Sequence, residues 1–244
     1  MKLLKGIELI DLAIYTNSTL ILTDSHIGYE ESLNKQGLMV PRFQFQEIMS
    51  RLNVIFKRLK NKKIKKIIVN GDLKHEFGTI SEQEWRNTLK LLDYFGQHCE
   101  EIILIKGNHD TILGPIAKKR NVKVLEHYML KPINESTIKK ILITHGDEIP
   151  NKELLKGVST IIIGHEHPAV SLRDGARAEL FKAYLIGKWH GRNIIVQPSF
   201  NLVVEGSDVL KEDVLSPFLR NNLNNFEAII VADKLYNFGK IKDL

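Results

Sequence analysis

The sequence predicts an α/β fold of two mixed β-sheets packed face to face with flanking helices. Three observations predict it. First, the aliphatic runs Leu20-Ile21-Leu22, Ile67-Ile68-Val69, Ile102-Ile103-Leu104-Ile105, Ile141-Leu142-Ile143 and Ile161-Ile162-Ile163 read as buried strands. Second, helical periodicity separates the early runs, giving a βαβ-like first half. Third, the alternation stops after Pro168, and the rest reads as mostly strand and turn. His165 and His167 belong with residues of the first half, so residues 1–244 are expected to form one domain.

Taken in order, residues 7–14 and 19–23 read as a strand pair joined by Thr16-Asn17-Ser18. Residues 25–41 read as a long loop ending at Pro41, a length that is usually functional. Over 43–60, Phe45, Ile48, Met49, Leu52, Ile55, Phe56 and Leu59 recur at helical spacing. A strand at 64–69 follows. Ser81 with Glu84 is a capping-box signature for a helix over about 82–97. Next come a strand at 101–105, a short helix after Asp110, and strands near 122–124, 139–144 and 159–163. Residues 169–173, 178–187, 192–197 and 226–238 read as strands, with turns at Gly187-Lys188 and Gly191-Arg192. Residues 205–222 read as a poorly periodic insert with a short helix around 211–220.

Composition narrows the function classes. No apolar run approaches the roughly 18 residues of a spanning helix. The start of the chain lacks the apolar stretch of a secretory signal, so a cytoplasmic location away from membranes is expected. Cys99 is the only cysteine, which excludes an internal disulfide and a cysteine-rich zinc site. Any metal must be held by oxygen and nitrogen. The net charge of +6 fits an anionic partner. Much of the excess lies in Lys57, Arg58, Lys60, Lys62, Lys63, Lys65 and Lys66, with no aromatic residue interleaved for base stacking. A solvated turn after a helix end is the expectation there.

Each aliphatic run ends in a polar cluster: Asp24-Ser25-His26, Gly71-Asp72, Gly107-Asn108-His109-Asp110, His145-Gly146 and Gly164-His165-Glu166-His167. Ligands gather outside the carboxyl ends of strands in open α/β sheets, so these groups are expected to meet at one edge. On an extended chain Asp24 and His26 point to the same side. Glycines at 71, 107 and 164 let the chain turn where a side chain would obstruct it. Aspartate bridges two cations, asparagine adds a neutral carbonyl, and histidine supplies borderline nitrogen donors.

The ordered set Asp-x-His, Gly-Asp, Gly-Asn-His-Asp, His, Gly-His-x-His resembles the calcineurin-like metallophosphoesterase superfamily, over residues 19–200. Gly71-Asp72-Leu73-Lys74-His75, the stretch from Gly28 to Phe43, and Gln197-Pro198-Ser199-Phe200-Asn201 are similar to the archaeal ICC-like phosphoesterases related to the repair nuclease subunit SbcD. The resemblance implies a four-layer α/β/β/α sandwich. It implies that Asp24, His26, Asp72 and His167 hold one metal, and that Asp72, Asn108, His145 and His165 hold a second, with Asp72 bridging. The implied cofactors are two divalent transition-metal ions, Mn²⁺ first, with Fe, Ni, Co and Zn also suited to the donors. The implied reaction is hydrolysis of a phosphodiester by a metal-activated hydroxide, with His109 as general acid and Asp110 orienting its ring.

Many superfamily members carry an aspartate three residues after the bridging one, where this chain has His75. Lys74 and His75 add positive or proton-donating character there, and with Arg42 they are the expected substrate contacts. The expected partner is a phosphoester substrate, DNA or RNA or a nucleotide derivative. Arg42, Lys74, Lys106, Arg173, Arg177, Lys188 and Arg192 are candidates for a cationic rim. A small-molecule phosphoester substrate and a non-catalytic metal-binding scaffold are the alternatives. His98, His127 and His190 lie outside the motifs and are expected to be structural or superficial.

Overall fold

The computed structural model describes residues 1–4, 6–77, 80–131, 140–220 and 222–244, apart from the side chain of Asp174. The first half runs β1 (Lys2–Leu4), β2 (Ile7–Ile10), β3 (Ala13–Thr16), β4 (Thr19–Leu22), α1 (Tyr29–Lys35), α2 (Gln44–Arg58), β5 (Lys66–Asn70), α3 (Glu82–Gly96), β6 (Glu101–Ile105), α4 (Gly114–Arg120) and β7 (Lys123–Leu125). These strands lie side by side in chain order, antiparallel from β1 to β4 and parallel from β4 to β7. The second half runs β8 (His127–Leu130), β9 (Lys140–Thr144), β10 (Val158–Ile163), β11 (Pro168–Asp174), β12 (Arg177–Trp189), β13 (Arg192–Val196), β14 (Ser207–Asp208), β15 (Glu227–Val231) and β16 (Leu235–Lys240). They form a second mixed sheet in which β9, β10 and β13 are parallel neighbours.

Apolar burial joins the sheets. Leu20, Ile67 and Ile103 from the first sheet share one core cluster with Ile143, Ile162 and Ile195 from the second. Gln197 adds a polar tie, donating from Nε2 to the carbonyls of Leu12 and Ile21 at 2.8 and 3.0 Å. Helices α2 and α3 bury Ile48, Leu52, Ile55, Leu92 and Phe95 in the same cluster. Ser81 and Glu84 form the expected capping box on α3. A second cluster, including Leu142, Ile161 and Leu185, is covered by Phe218, Leu219 and Phe226 from irregular chain.

Several expectations need correction. Residues 7–14 are not one strand: Asp11 adopts a left-handed φ of 57° and accepts the Leu12 amide, breaking the run into a hairpin. The stretch 25–41 contains α1. Its Glu30 carboxylate folds back to accept the amides of Phe43 and Gln44 at 2.9 and 2.6 Å, so it caps α2 from a distance. Gly187-Lys188 lies inside β12, where a Cβ on Gly187 would meet the Phe226 ring at 2.5 Å. Residues 226–238 form a hairpin, β15 and β16. The helix expected around 211–220 does not form, because the Leu215 and Ser216 amides are bound by the Glu166 carboxylate instead. Residue 139, the start of one expected strand, and residue 221, inside the expected 205–222 insert, lie outside the described residues.

The lysine-rich turn behaves as expected. Lys62 pairs with Glu8, Lys63 with Glu100 and Lys66 with Glu101, all at the amino-terminal end of β5. Among the described residues no helix is long and apolar enough to cross a membrane.

Candidate metal centre

The polar clusters follow the carboxyl ends of β4, β5, β6, β9 and β10, the parallel strands of both sheets. The structure brings Asp24, His26, Asp72, Asn108, His145, His165 and His167 together at that shared edge. The local geometry differs from the extended chain expected for Asp24 and His26. Their φ values are 50° and 43°, and Asp72, His165 and His167 are left-handed too. Backbone bonds fix these turns: the Asp24 amide donates to the Gly71 carbonyl, and the His26 amide donates to that of Asp72.

The three glycines are required where the strand ends converge. A Cβ on Gly71 would lie 2.0 Å from His145 Nδ1, one on Gly107 2.1 Å from Asp72 Oδ1, and one on Gly164 2.0 Å from Thr23 Oγ1. No side chain fits in any of these gaps.

Two donor clusters result. In one, Asp24 joins His26 and His167, whose Nε2 atoms are 3.2 Å apart. In the other, Asn108 Oδ1 lies 3.0 Å from His145 Nε2 and 3.1 Å from His165 Nδ1, which are 3.2 Å from each other. Asp72 stands between them, with Oδ2 3.7 Å from His26 Nε2 and 3.5 Å from His145 Nε2.

Each aspartate divides its oxygens between scaffold and centre. Asp72 Oδ1 accepts the His109 amide at 2.9 Å, and Asp24 Oδ2 accepts the His165 amide at 2.9 Å. Asp24 Oδ1 is buried without a hydrogen bond, with His145 Nδ1 standing off at 3.5 Å; a cation would complete the pairing of this carboxylate oxygen. His145 Nδ1 faces two acceptors, the Asn70 carbonyl at 3.4 Å and Asp24 Oδ1 at 3.5 Å, which favours a proton on Nδ1 and leaves the Nε2 lone pair facing the cluster. Donors at about 2.1 Å from one ion and at right angles stand roughly 3 Å apart, the spacing seen here. The residues present therefore fit a pair of divalent cations.

The electrostatics agree with ligation. Burial pushes His26 well below its ordinary pKa and pushes His75 and His165 down to about 4, so these rings are neutral donors at neutral pH. Burial, then the Asp24 charge, holds the Asp72 carboxyl well above the usual range. Burial opposes ionisation of Asp24 as well, but His167, by its charge and by a side-chain hydrogen bond, leads the effects that outweigh it, and the net direction is downward. Two carboxylates crowded among imidazoles favour a cation over two protons.

His109 sits beside the first cluster, its ring centroid 4.8 Å from that of His26. Asp110 does not orient it. The His109 Nδ1–H donates to the His75 carbonyl at 2.5 Å, while the Asp110 carboxylate accepts backbone amides of Leu73 and Gly107 at 3.3 and 3.2 Å. Asp110 holds the β5 and β6 turns together, and burial pushes its carboxyl up to about 6. Lys74 is also reassigned: it is buried, and its ammonium donates to the carbonyls of Glu76 and His109. His75 does reach the centre, with Nδ1 3.4 Å from His26 Nδ1.

The expected cationic rim is dispersed. Arg42 is exposed and donates to Gln83 at 3.2 Å. Lys106 is paired with Glu126. Arg173 and Arg177 lie at the far end of the β11–β12 hairpin, roughly 20 Å along the strand from His167 at about 3.3 Å per residue. Lys188 and Arg192 flank the turn at the amino end of β13, opposite the centre. His98 stacks on Phe56, as a structural histidine would.

Several supporting residues escaped the sequence reading. Thr23 Oγ1 lies 2.8 Å from Asp24 Oδ2 and 2.7 Å from the Asn70 carbonyl, with its one proton to share between these two acceptors. Glu84 accepts the amides of His75 and Glu76. Gln44 donates to the carbonyls of Ser25 and His26 and to Asn201. Phe77 lies against the His109 ring at a centroid distance of 3.8 Å. The capping signature at Glu84 was legible; its second task, holding the His75 loop, had no local signal.

The fold is shared with a nuclease from Pseudomonas putida, nuclease MPE, at a TM-score of 0.66 and 17% identity, covering 96% of each chain. Weaker likenesses include the phosphoesterase Yfce of E. coli, with TM-score 0.41, 11% identity and coverage of 91% of this chain and 97% of that one. Zinc-complexed Vps29 of Entamoeba histolytica follows at 0.38 and 15%, covering 91% and 98%. No curated protein matches the chain by sequence. Residues 18–222, however, match the calcineurin-like phosphoesterase family as a whole. With that match over most of its length and the two donor clusters at its strand ends, the chain belongs to the calcineurin-like phosphoesterase family.

Proposed function

We propose that this phosphoesterase hydrolyses phosphodiesters in nucleotide derivatives or at nucleic-acid ends, contacting few phosphates beyond the scissile one. Asp24, His26, Asp72 and His167 would hold one cation, and Asp72, Asn108, His145 and His165 the other. The single observation that carries this reading is Asp72 Oδ2, set between the two donor clusters 3.7 Å from His26 Nε2 and 3.5 Å from His145 Nε2. Bound divalent ions, Mn²⁺ by preference, would supply charge neutralisation and acidify water.

The chain's own groups do the rest. His109 has its Nδ1 proton committed to the His75 carbonyl, so Nε2 is the nitrogen left to carry a proton to the leaving oxygen. His75 buttresses His26 and offers a neutral group where a carboxylate would repel the phosphate. Lys74 places a buried positive charge behind His109 and fixes its backbone. The dispersed rim cations favour a short substrate over a long duplex. A nuclease of the same fold keeps polynucleotides among the classes to test.

The test is turnover of bis-p-nitrophenyl phosphate, p-nitrophenyl phosphate, dinucleotides and oligonucleotides by Mn²⁺-loaded protein. Diester hydrolysis lost by at least 100-fold in Asp72→Asn, with two ions bound per wild-type chain, is the expected result. Unchanged turnover in that variant, or activity confined to the monoester, would reject the reading.

A further inference from the structure

Phe77 is 56% exposed, yet its ring is fixed against the candidate leaving-group acid. It lies 3.8 Å from the His109 imidazole, tilted by 33°. The rings continue inward: His75 is 5.3 Å from His109 at 26°, and Tyr29 is 4.5 Å from His75. Phe77 is the outermost plate of this series. A solitary exposed phenylalanine needs no explanation on most surfaces. This one is held in place by its neighbours. Glu84 binds the two amides before it, at 2.8 and 3.0 Å. Lys35 pairs with Glu76 at 2.8 Å, and Ser81 donates to Glu31 at 2.8 Å.

A cleft on the other cluster's side differs in chemistry. Across Asn108 it is lined by Glu126, Asp147 and Glu148, and the ammonium of Lys106 is already neutralised by Glu126. That side repels further phosphates, whereas the Phe77 side offers an aromatic face beside the nitrogen that would protonate the leaving oxygen. Aromatic faces take nucleobases of any sequence by stacking.

We propose that Phe77 is the platform on which the base of the leaving nucleoside stacks, making the chain selective for diesters whose leaving group carries a nucleobase. This rests on the phosphodiesterase reading with His109 at the leaving oxygen. In that step the P–O bond to the leaving nucleoside breaks and its electron pair stays on that oxygen. His109 supplies the proton, and water supplies the hydroxyl that joins phosphorus. Phe77 touches no reacting atom. It fixes where the leaving nucleoside lies.

The experiment compares two diesters that release the same nucleotide product from metal-loaded protein: thymidylyl-thymidine and the matching methyl ester of thymidine phosphate. Variants Phe77→Leu, which keeps apolar cover on His109 without a π-face, and Phe77→Trp are measured beside the wild type. The expected result is that Phe77→Leu lowers the kcat/KM preference for the dinucleotide by roughly 10- to 100-fold, chiefly through KM, and that Phe77→Trp restores it. Equal losses on both esters would mean that Phe77 only supports His109, and would overturn the proposal. An unchanged preference in Phe77→Leu would overturn it as well. Wild-type protein that hydrolyses neither diester would overturn both this proposal and the phosphodiesterase reading.

Discussion

Replacing Gly107 by alanine tests whether the centre depends on direct contact between strand ends. The new Cβ would sit 2.1 Å from Asp72 Oδ1, 2.5 Å from the Asp72 amide nitrogen and 2.8 Å from its Cγ. Gly107 is not in the left-handed region, so the cost is contact alone. Rotating the Asp72 side chain cannot relieve it, because the backbone nitrogen clashes too. Asp72 must retreat by about 1 Å to reach ordinary contact. Overpacking of this kind costs about 1–3 kcal/mol. Losing the His109 amide from the Asp72 carboxyl adds about 1–3 kcal/mol. Stiffening the unfolded chain offsets about 0.4–1 kcal/mol. The net loss comes to about 3 kcal/mol.

Urea unfolding in chelator measures that loss, and calorimetric titration with Mn²⁺ measures the centre. Asp72 Oδ2 faces both clusters, so both cations should weaken together, each by at least tenfold. Gly96→Ala is the control: nothing lies within 4 Å of a Cβ there, and stability should hold or rise slightly. A Gly107→Ala protein with wild-type stability and two ions at wild-type affinity would falsify the packing argument.

Asp72→Asn should also change pH dependence in metal-free protein. A folded-state pKa raised above the unfolded value gives stability in acid that is lost as pH rises, so the wild type should weaken relative to Asp72→Asn from about pH 4 upward. Urea midpoints between pH 5 and 8 would show it; a wild type that gains on the variant over that range contradicts the burial argument. His75 and His165, pushed down to about 4, carry the opposite sign: their contribution fades as pH falls from about 6.5 toward 4. Glu166→Ala frees the Leu215 and Ser216 amides and should cost about 2 kcal/mol, with faster hydrogen exchange over 209–219; unaltered exchange would remove Glu166 as the clamp. Oligonucleotide binding should weaken with salt at a log–log slope of about 1–2, and a slope several times steeper would mean a phosphate-tracking surface exists after all.

The strand cores and the donor side chains at their ends were legible because each depends on local pattern. Ile161-Ile162-Ile163 followed by Gly164-His165 announces a buried strand and a polar end without reference to any distant residue. What could not be read is side-chain commitment. Asp110 next to His109 invites a carboxylate–imidazole pair, yet burial and the free amides of Leu73 and Gly107 claim it. Lys74 and Lys106 look like phosphate contacts, but backbone carbonyls take one and Glu126 takes the other. Helix α1 was hidden because it is seven residues long with no side-chain cap, and its Glu30 is committed to the amino end of α2. The 211–220 segment has helix-compatible residues, but Glu166, some 50 positions away, binds its amides.

The left-handed residues link the backbone to the chemistry. Among the described residues ten non-glycine positions have positive φ, and Asp24, His26, Asp72, His165 and His167 are half of them. Each costs about 1–2 kcal/mol for an ordinary side chain, and least for Asn, Asp and His. Those are the side chains that ligate cations through oxygen and nitrogen. The two requirements coincide at these five positions; Asn108 and His145 reach the cluster without a left-handed turn. A chain leaving a parallel strand must turn at once to bring its side chain back over the sheet edge, and a left-handed residue does so in one step. Gly71, Gly107 and Gly164 clear the space into which it turns. The strain is held by interstrand bonds such as Asp24 amide to Gly71 carbonyl, and Asp24 Oδ1, buried without a hydrogen bond, is left for a cation to satisfy. Ligand identity, backbone conformation and glycine placement are thus one constraint, which is why the motif clusters carry so much of the fold's information in so few residues.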